Sequence, residues 1–501
     1  MNRETVFEQL TGEIFDAFVI GGGIVGAGVA RDAAMRGLRV ALVDRHDFAF
    51  GTSSRSSRLL HGGLRYLEQG RVRLVREASV EKMRLHKLAP HLAQPLGFVF
   101  PAYRGEGRPL WQLGIGVKLY DLLCGGRNLK PSRRLDVAAV QGLAPQLKID
   151  RLAGAVLYYD GLTNDARLVV DTLRSAAQHG AVVANYTRLV DASRRGEVWH
   201  CEVRDELTGR TATVRARAIV NATGPWAEGV PHSAVKLRLS KGIHIVVDRA
   251  RLATREAVVI TEGKRLLFVL PWGERTIVGT TDTDYEGAPE AVRVQPEDVR
   301  YVLDTVARFF PRVDLQPQDV ISSWAGLRPL VANPDGTPSD VSREHQILSP
   351  EPGWWDITGG KLTTYRLMAE QAGDRLARFL GKGEAHSRTA DEPLLASGPE
   401  AAFSSIVPGA CTRAAVEHYV RHEWARHLDD VLVRRSSWHY YHTDTEAQAR
   451  RVAGWMAELL NWSPAMVEHQ LERYHSLVDQ AAATAGTAPR SSAPAASAAG
   501  R

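Results

Sequence analysis

Hydrophobic and polar positions alternate between two recognisable rhythms along this chain. Across residues 12–46 an apolar run meets a cluster of glycines, then apolar positions at helical spacing, then a second apolar run. That pattern predicts a strand over 15–20, a helix over 27–36 and a strand over 39–43. The segment ARLVVDTLRSAAQHG (166–180) again carries helical periodicity, stops at Gly180 and is followed by the strand-like Ala181-Val182-Val183. Short apolar segments at 218–220, 243–247, 257–260, 266–270 and 276–279 read as further strands. Strand and helix in alternation imply an α/β dinucleotide-binding domain. The denser strands of 236–280 imply an inserted, mostly antiparallel sheet.

These patterns divide the chain. A discontinuous nucleotide-binding domain is expected over 14–75, 155–235 and 320–380, and a substrate or cap domain over 76–154 and 236–319. Residues 381–402 are rich in small, polar and turn-forming types and read as a linker. Residues 403–476 lack strand patterning and read as a helical domain. The Ala/Ser/Gly/Pro-rich stretch 481–501 cannot bury enough apolar surface to order itself and is expected to be disordered.

Composition narrows the class. With 501 residues and 44% hydrophobic content, the chain can bury a large core without disulfide or metal staples. Its three cysteines, Cys124, Cys201 and Cys411, form no CxxC and suit a reducing compartment. The polar opening Met1-Asn2-Arg3-Glu4 does not read as a secretory leader, and no run of 18 apolar residues suggests a membrane span. The formal charge of +6 is modest. It suits an anionic small substrate or an anionic lipid surface and gives no case for nucleic acid. The C-terminal region holds His386 to His475 and Trp424, Trp438, Trp455 and Trp462; it reads as an aromatic core with histidines on its surface, and no metal is expected.

The sharpest local signal is DAFVIGGGIVGAG (16–28). Gly21, Gly23 and Gly26 fit GxGxxG after an apolar strand and at the opening of a helix, whose first N–H groups, at Ile24 and beyond, face a pyrophosphate. Asp44 follows Gly26 by 18 residues, at the end of the second strand, where a carboxylate accepts hydrogen bonds from a ribose. The fingerprint serves both NAD and FAD. What comes next favours FAD: the hydroxyl-rich run with Thr52, Ser53 and Ser54, the strand end and glycine turn Ala222-Thr223-Gly224, and Gly359-Gly360-Lys361-Leu362 opening a helix that runs to about Phe379. A helix start with a lysine stabilises the negative charge of a reduced flavin.

At this point GGGIVGAG, TSSRSSRLLHGGLRYLE, NATGPW, KGIHIVV, LPWGERTIVGTTDTDY, GLRPL and TGGKLTTYR stand in order along the chain. Together they resemble the FAD-dependent, aerobic-type glycerol-3-phosphate dehydrogenases, from about residue 14 to about residue 445. The resemblance implies a glutathione-reductase-like FAD domain, a substrate domain over the flavin and a C-terminal helical domain. It implies oxidation of sn-glycerol 3-phosphate to dihydroxyacetone phosphate, with hydride passing from C2 to FAD N5 and electrons leaving to a membrane quinone. Arg65, Arg328 and Arg343 are then the expected phosphate and substrate ligands, because guanidinium forks match phosphate oxygens. Tyr66 adds a hydroxyl. His244 is the expected base, as an imidazole tuned near neutral pH. Lys361 is the second candidate, or the group that stabilises the alkoxide or the reduced flavin. His61 is expected beside the isoalloxazine.

Residues 108–124 (RPLWQLGIGVKLYDLLC) are too short and too polar to span a bilayer but suit a lipid interface, helped by the basic stretch 71–76. This leads to an expectation of a cytoplasmic protein peripheral on the inner face of the cell membrane, with room for a homodimer. The competing readings are an oxidase passing electrons to oxygen, a flavin amine or amino-acid oxidase, and a non-catalytic flavin-binding sensor or scaffold.

Overall fold

The strand Ile14–Ile20 is buried on both faces along nearly its whole length, as the central strand of a parallel sheet must be. It pairs in parallel with Val40–Val43 on one side and Thr211–Asn221 on the other. Val182–Ala184 and Trp354–Thr358 extend the parallel set outward. Gln346–Leu348 closes one edge antiparallel, and the hairpin Thr187–Arg195/Val198–Asp205 attaches beside Thr211–Asn221. The computed structural model describes residues 3–126, 128–263, 265–331, 345–395 and 401–482.

The helix Ile24–Met35 packs between this sheet and the helices Asp165–Gln178 and Tyr365–Phe379. Its glycines and alanines allow close approach on several sides, which accounts for much of its sequence IVGAGVARDAAM and for its almost complete burial, Arg31 and Asp32 included.

The second sheet has ten strands among the described residues. Leu237–Asp248 is its hub, antiparallel to Arg275–Gly279, Thr283–Tyr285 and Val320–Val331. Gln94–Tyr103 pairs antiparallel with Leu152–Leu162 and parallel with Ala257–Glu262. The sheet is thus mostly antiparallel, as its density of short strands implied. Two expected boundaries shift. Leu152–Leu162 and Val320–Val331 belong to this sheet, so the divisions at 155 and 320 cut through or abut strands of the cap. Apolar strands buried on both faces carry no mark of which sheet they join.

The C-terminal helices Arg413–His422, Trp438–Tyr441, Thr445–Leu460 and Pro464–Ala482 enclose their own core around Trp438 and Met456. Residues 381–395 of the expected linker are irregular but tied down: Leu394 is buried and its N–H donates to Leu88 O at 2.8 Å. The last helix runs through 481 and 482; the rest of the expected disordered tail lies outside the described residues. His418 and His422 stand one helical turn apart, but His418 faces Glu423 at 3.1 Å, and no third metal ligand joins them among the described residues.

Candidate functional site

A cavity of about 490 Å³ opens where the carboxyl ends of the parallel strands meet the second sheet. Such a position is the usual ligand site of an open α/β sheet. Its lining includes Gly21, Gly23, Ile24 and Asp44, Thr52 and Ser53, the turn Ala222-Thr223-Gly224, and His61, His244, Arg328, Gly359, Gly360, Lys361 and Leu362.

The glycine loop is built for close approach. Gly21 has φ +106°, and a Cβ there would meet Ala222 O at 2.6 Å. A Cβ on Gly26 would sit 1.9 Å from Gly21 O, which locks helix to strand at that point. The Ile24 N–H donates to Ser53 Oγ at 3.0 Å, tying the helix start to the hydroxyl run, while Thr52 Oγ1 donates to Leu327 O of the second sheet at 2.6 Å. Gly26 and Ser54 do not line the cavity; they shape the loop that does. Asp44 accepts from Gly22 N–H at 2.6 Å and from His46 N–H at 2.8 Å. Burial nonetheless lifts its carboxyl to about 7, and neighbouring Asp47 adds to the rise. A carboxylate held this way gains from further donors such as ribose hydroxyls. His46 stacks on Phe50 with ring centroids 4.2 Å apart, and Trp226 lies beyond, giving flat apolar surface near Asp44. These features fit the adenosine and pyrophosphate of FAD.

Consecutive left-handed residues, Gly359 at +73° and Gly360 at +77°, turn the chain into Lys361 and the helical turn Leu362–Thr364 that leads into Tyr365–Phe379. Side chains with a Cβ rarely adopt these angles. Thr363 Oγ1 brackets His61, accepting from its N–H at 3.0 Å and donating to its carbonyl at 3.1 Å. The start of that helix and Lys361 therefore both line the cavity.

His244 is buried on the hub strand. Its Nε2 is 2.8 Å from Ser57 Oγ, and its ring stacks on Trp324 with centroids 5.1 Å apart. Burial, then the charges of Arg328 and Arg58, press its pKa down to about 3. That corrects the expectation of a base tuned near neutral pH: the imidazole is neutral but, without substrate, weakly basic. Arg328 is oriented by Thr280 Oγ1 at 2.9 Å, Thr281 O at 3.2 Å and Asp282 at 3.3 Å.

Tyr66 is buried and does not line the cavity; its ring lies under Lys361, with Nζ 3.8 Å from the centroid. Arg65 does not line the cavity either. Successive helical positions diverge by about 100°, and Tyr66 takes the one against Lys361. Arg343 lies outside the described residues. Reading the sequence missed Ser57, Trp324, Thr280 and Asp282. Ser57 had a signal, as one hydroxyl in the run 51–58; Trp324 sits within the strand Val320–Val331, and Thr280 and Asp282 lie in the short link between Arg275–Gly279 and Thr283–Tyr285.

The sheet order, the glycine loop and the cavity they share define an FAD-binding oxidoreductase. Residues 16–374 match the family described as FAD dependent oxidoreductase, and residues 394–467 match the C-terminal domain of alpha-glycerophosphate oxidase. Glycerol-3-phosphate dehydrogenase 2 of Mycobacterium tuberculosis is 37% identical over 95% of this chain and 90% of its own length. The D-erythritol 1-phosphate dehydrogenase of Brucella abortus is 36% identical over 88% of this chain and 98% of its own. Among solved structures, the glycerol-3-phosphate dehydrogenase of Bacillus halodurans complexed with FAD superimposes with a TM-score of 0.78 and 27% identity, covering 96% of this chain and 97% of that one. The chain belongs to the family of FAD-dependent glycerol-3-phosphate dehydrogenases.

Proposed function

We propose that the protein oxidises sn-glycerol 3-phosphate to dihydroxyacetone phosphate and passes the electrons to a membrane quinone. The observation that supports this most is that Arg328, Lys361 and His244 line the same cavity as the glycine loop. Two cations and a neutral proton acceptor in one place suit a dianionic alcohol. An amino-acid substrate needs one arginine for its carboxylate and has less use for the second cation.

When bound, FAD supplies the hydride acceptor for the substrate C2–H. The chain does the remainder. Arg328 holds the phosphate, and the Tyr66 ring supports Lys361 from beneath. Lys361 steadies the developing alkoxide, and His244 takes the hydroxyl proton. His244 begins as a weak base chiefly because it is buried, and further because Arg328 and Arg58 face it with positive charge. A phosphate dianion seated on Arg328 cancels part of that field, so the imidazole gains basicity when substrate arrives. The loss of one proton and one hydride completes the two-electron oxidation.

The proposed membrane contact is the helix Leu110–Leu123. Trp111, Ile115, Leu119 and Leu122 are exposed along one side of it. Exposed Val72, Arg73 and Arg76 lie on the helix packed beside it, and Arg108 precedes it. Apolar side chains ringed by arginines suit an anionic bilayer surface. Among the described residues no helix is long and apolar enough to cross a membrane.

The test is anaerobic bleaching of the bound flavin by a panel of alcohols. Glycerol 3-phosphate should bleach it fastest, D-erythritol 1-phosphate more slowly and glycerol scarcely at all. Equal rates with glycerol and its phosphate would remove the phosphate clamp. Reoxidation by a quinone analogue, compared with peroxide formation in air, separates the dehydrogenase from the oxidase reading.

A further inference from the structure

Asp47 is a fully buried carboxylate three residues after the ribose carboxylate Asp44, and the C-terminal domain reaches in to hold it. Arg435 grips it with both ends of its fork, Nη1 to Oδ2 at 2.7 Å and Nη2 to Oδ1 at 2.8 Å. Arg434 adds Nε to Oδ2 at 2.5 Å, and Asn185 Nδ2 adds a bond to Oδ1 at 3.0 Å. The two arginines are neighbours in sequence. In a regular α-helix they would point about 100° apart. Here they belong to the wider π turn Asp430–Arg435, a geometry often found at functional sites, and both meet one carboxylate.

The loop so held touches the cofactor loop directly. Phe48 packs beneath Gly22, where a Cβ would meet its ring carbon at 2.4 Å. Ala49 N–H donates to Gly22 O at 3.0 Å. Trp424 of the C-terminal domain meets Phe48 edge-on at 5.4 Å, and its carbonyl accepts from Asn185 Nδ2 at 2.9 Å. Thr187 N–H donates to Asp44 O at 2.6 Å, and Tyr186 OH donates to Asp430 at 2.6 Å. The glycine loop, the ribose carboxylate and the C-terminal domain are thus joined by an unbroken set of short contacts.

Buried ion pairs of this kind add little stability over an apolar core of the same shape, and removing one partner is costly. Their gain is in fixing position. We infer that Arg434 and Arg435 are positioning residues for FAD: the C-terminal helical domain holds the 44–50 loop, through Asp47, in the shape that receives the adenosine end of the cofactor. The inference rests on the FAD assignment of the cavity and gives the C-terminal domain a part in cofactor retention.

The test uses the full chain stripped of flavin. FAD affinity is read by flavin fluorescence on rebinding, and melting temperature is read with and without saturating FAD. Wild type shows whether the cavity binds FAD at all, independently of the clamp. D47N, R435A and R435K should raise the Kd for FAD, by tenfold or more in the first two and by less in R435K, which keeps the charge but loses the fork. The rise in melting temperature on adding FAD should shrink in the same order. Where R435A fails to fold, D47N and R435K carry the test. Kd values within twofold of wild type, with melting temperatures lowered equally in both states, would mean that the clamp is structural only and overturn the inference.

Discussion

Ser57 Oγ and His244 Nε2 are 2.8 Å apart, joining the hydroxyl run of the cofactor loop to the hub strand of the second sheet. The contact crosses from one domain to the other at the reactive end of the cavity. It fixes the imidazole from one side while Trp324 fixes it by stacking from another. Ser57→Ala removes one anchor and leaves a buried ring nitrogen without that partner, a loss of about 1–3 kcal/mol. The rate of flavin bleaching by glycerol 3-phosphate should fall roughly tenfold with FAD still bound and KM little changed. An unchanged rate would show that His244 needs no help from Ser57.

Stability should fall on mild acidification. His244 is pressed to about 3 and His439 to about 4, both chiefly by burial. The unfolded chain regains the ordinary imidazole pKa, so below about 6 it binds protons that the folded protein refuses. Each such histidine costs about 1.4 kcal/mol per pH unit as pH falls from about 6 toward the folded pKa. The stability is fully present above the unfolded value. Denaturant unfolding at pH 7.5 and pH 5.0 should show the lower midpoint at pH 5.0, and His439→Phe should narrow the gap. Equal midpoints would contradict the burial assigned to these rings.

FAD affinity should also depend on pH, in the opposite range. Asp44 is raised to about 7 by burial, and its ionised form is the better acceptor for ribose hydroxyls. FAD binding then pulls the group toward ionisation. Affinity should weaken roughly tenfold between pH 8 and pH 6 in wild type and become flat in Asp44→Asn. Titration of flavin-free protein at the two pH values checks it. Equal slopes in wild type and variant would place the titrating group elsewhere.

Leu122→Glu with Trp111→Glu should abolish flotation with anionic vesicles at low salt, because two charges then replace the most apolar part of the exposed face. Bleaching of the flavin by substrate should be unaffected. Persistence of flotation in the double variant would move the lipid contact to another face.

How much of this was legible beforehand follows from what each signal is made of. The strand, glycine turn and helix of 14–43 were readable because steric demands at Gly21 and Gly26 admit almost one residue type. Gly359 and Gly360 were readable for a like reason, their left-handed backbone, and Lys361 as the charge beside them. The sheet to which Leu152–Leu162 and Val320–Val331 belong was not, because strands covered on both faces look alike whichever partners they take. The depressed basicity of His244 was hidden as well. It depends first on burial and then on Arg328 and Arg58, which are distant in sequence and converge only after folding. The Asp47 clamp joins residues almost 390 positions apart, and nothing in the local pattern of either end announces the other.

The central claim is that Arg328 seats a phosphorylated alcohol beside the flavin. Its most direct test is the anaerobic single-turnover rate of flavin bleaching by glycerol 3-phosphate in Arg328→Ala, at saturating FAD. One charged hydrogen-bonding partner is worth about 1.5–3 kcal/mol, so kcat/KM should drop about 10- to 100-fold while the flavin stays bound. A variant that retains its yellow colour and bleaches at the wild-type rate would contradict the account.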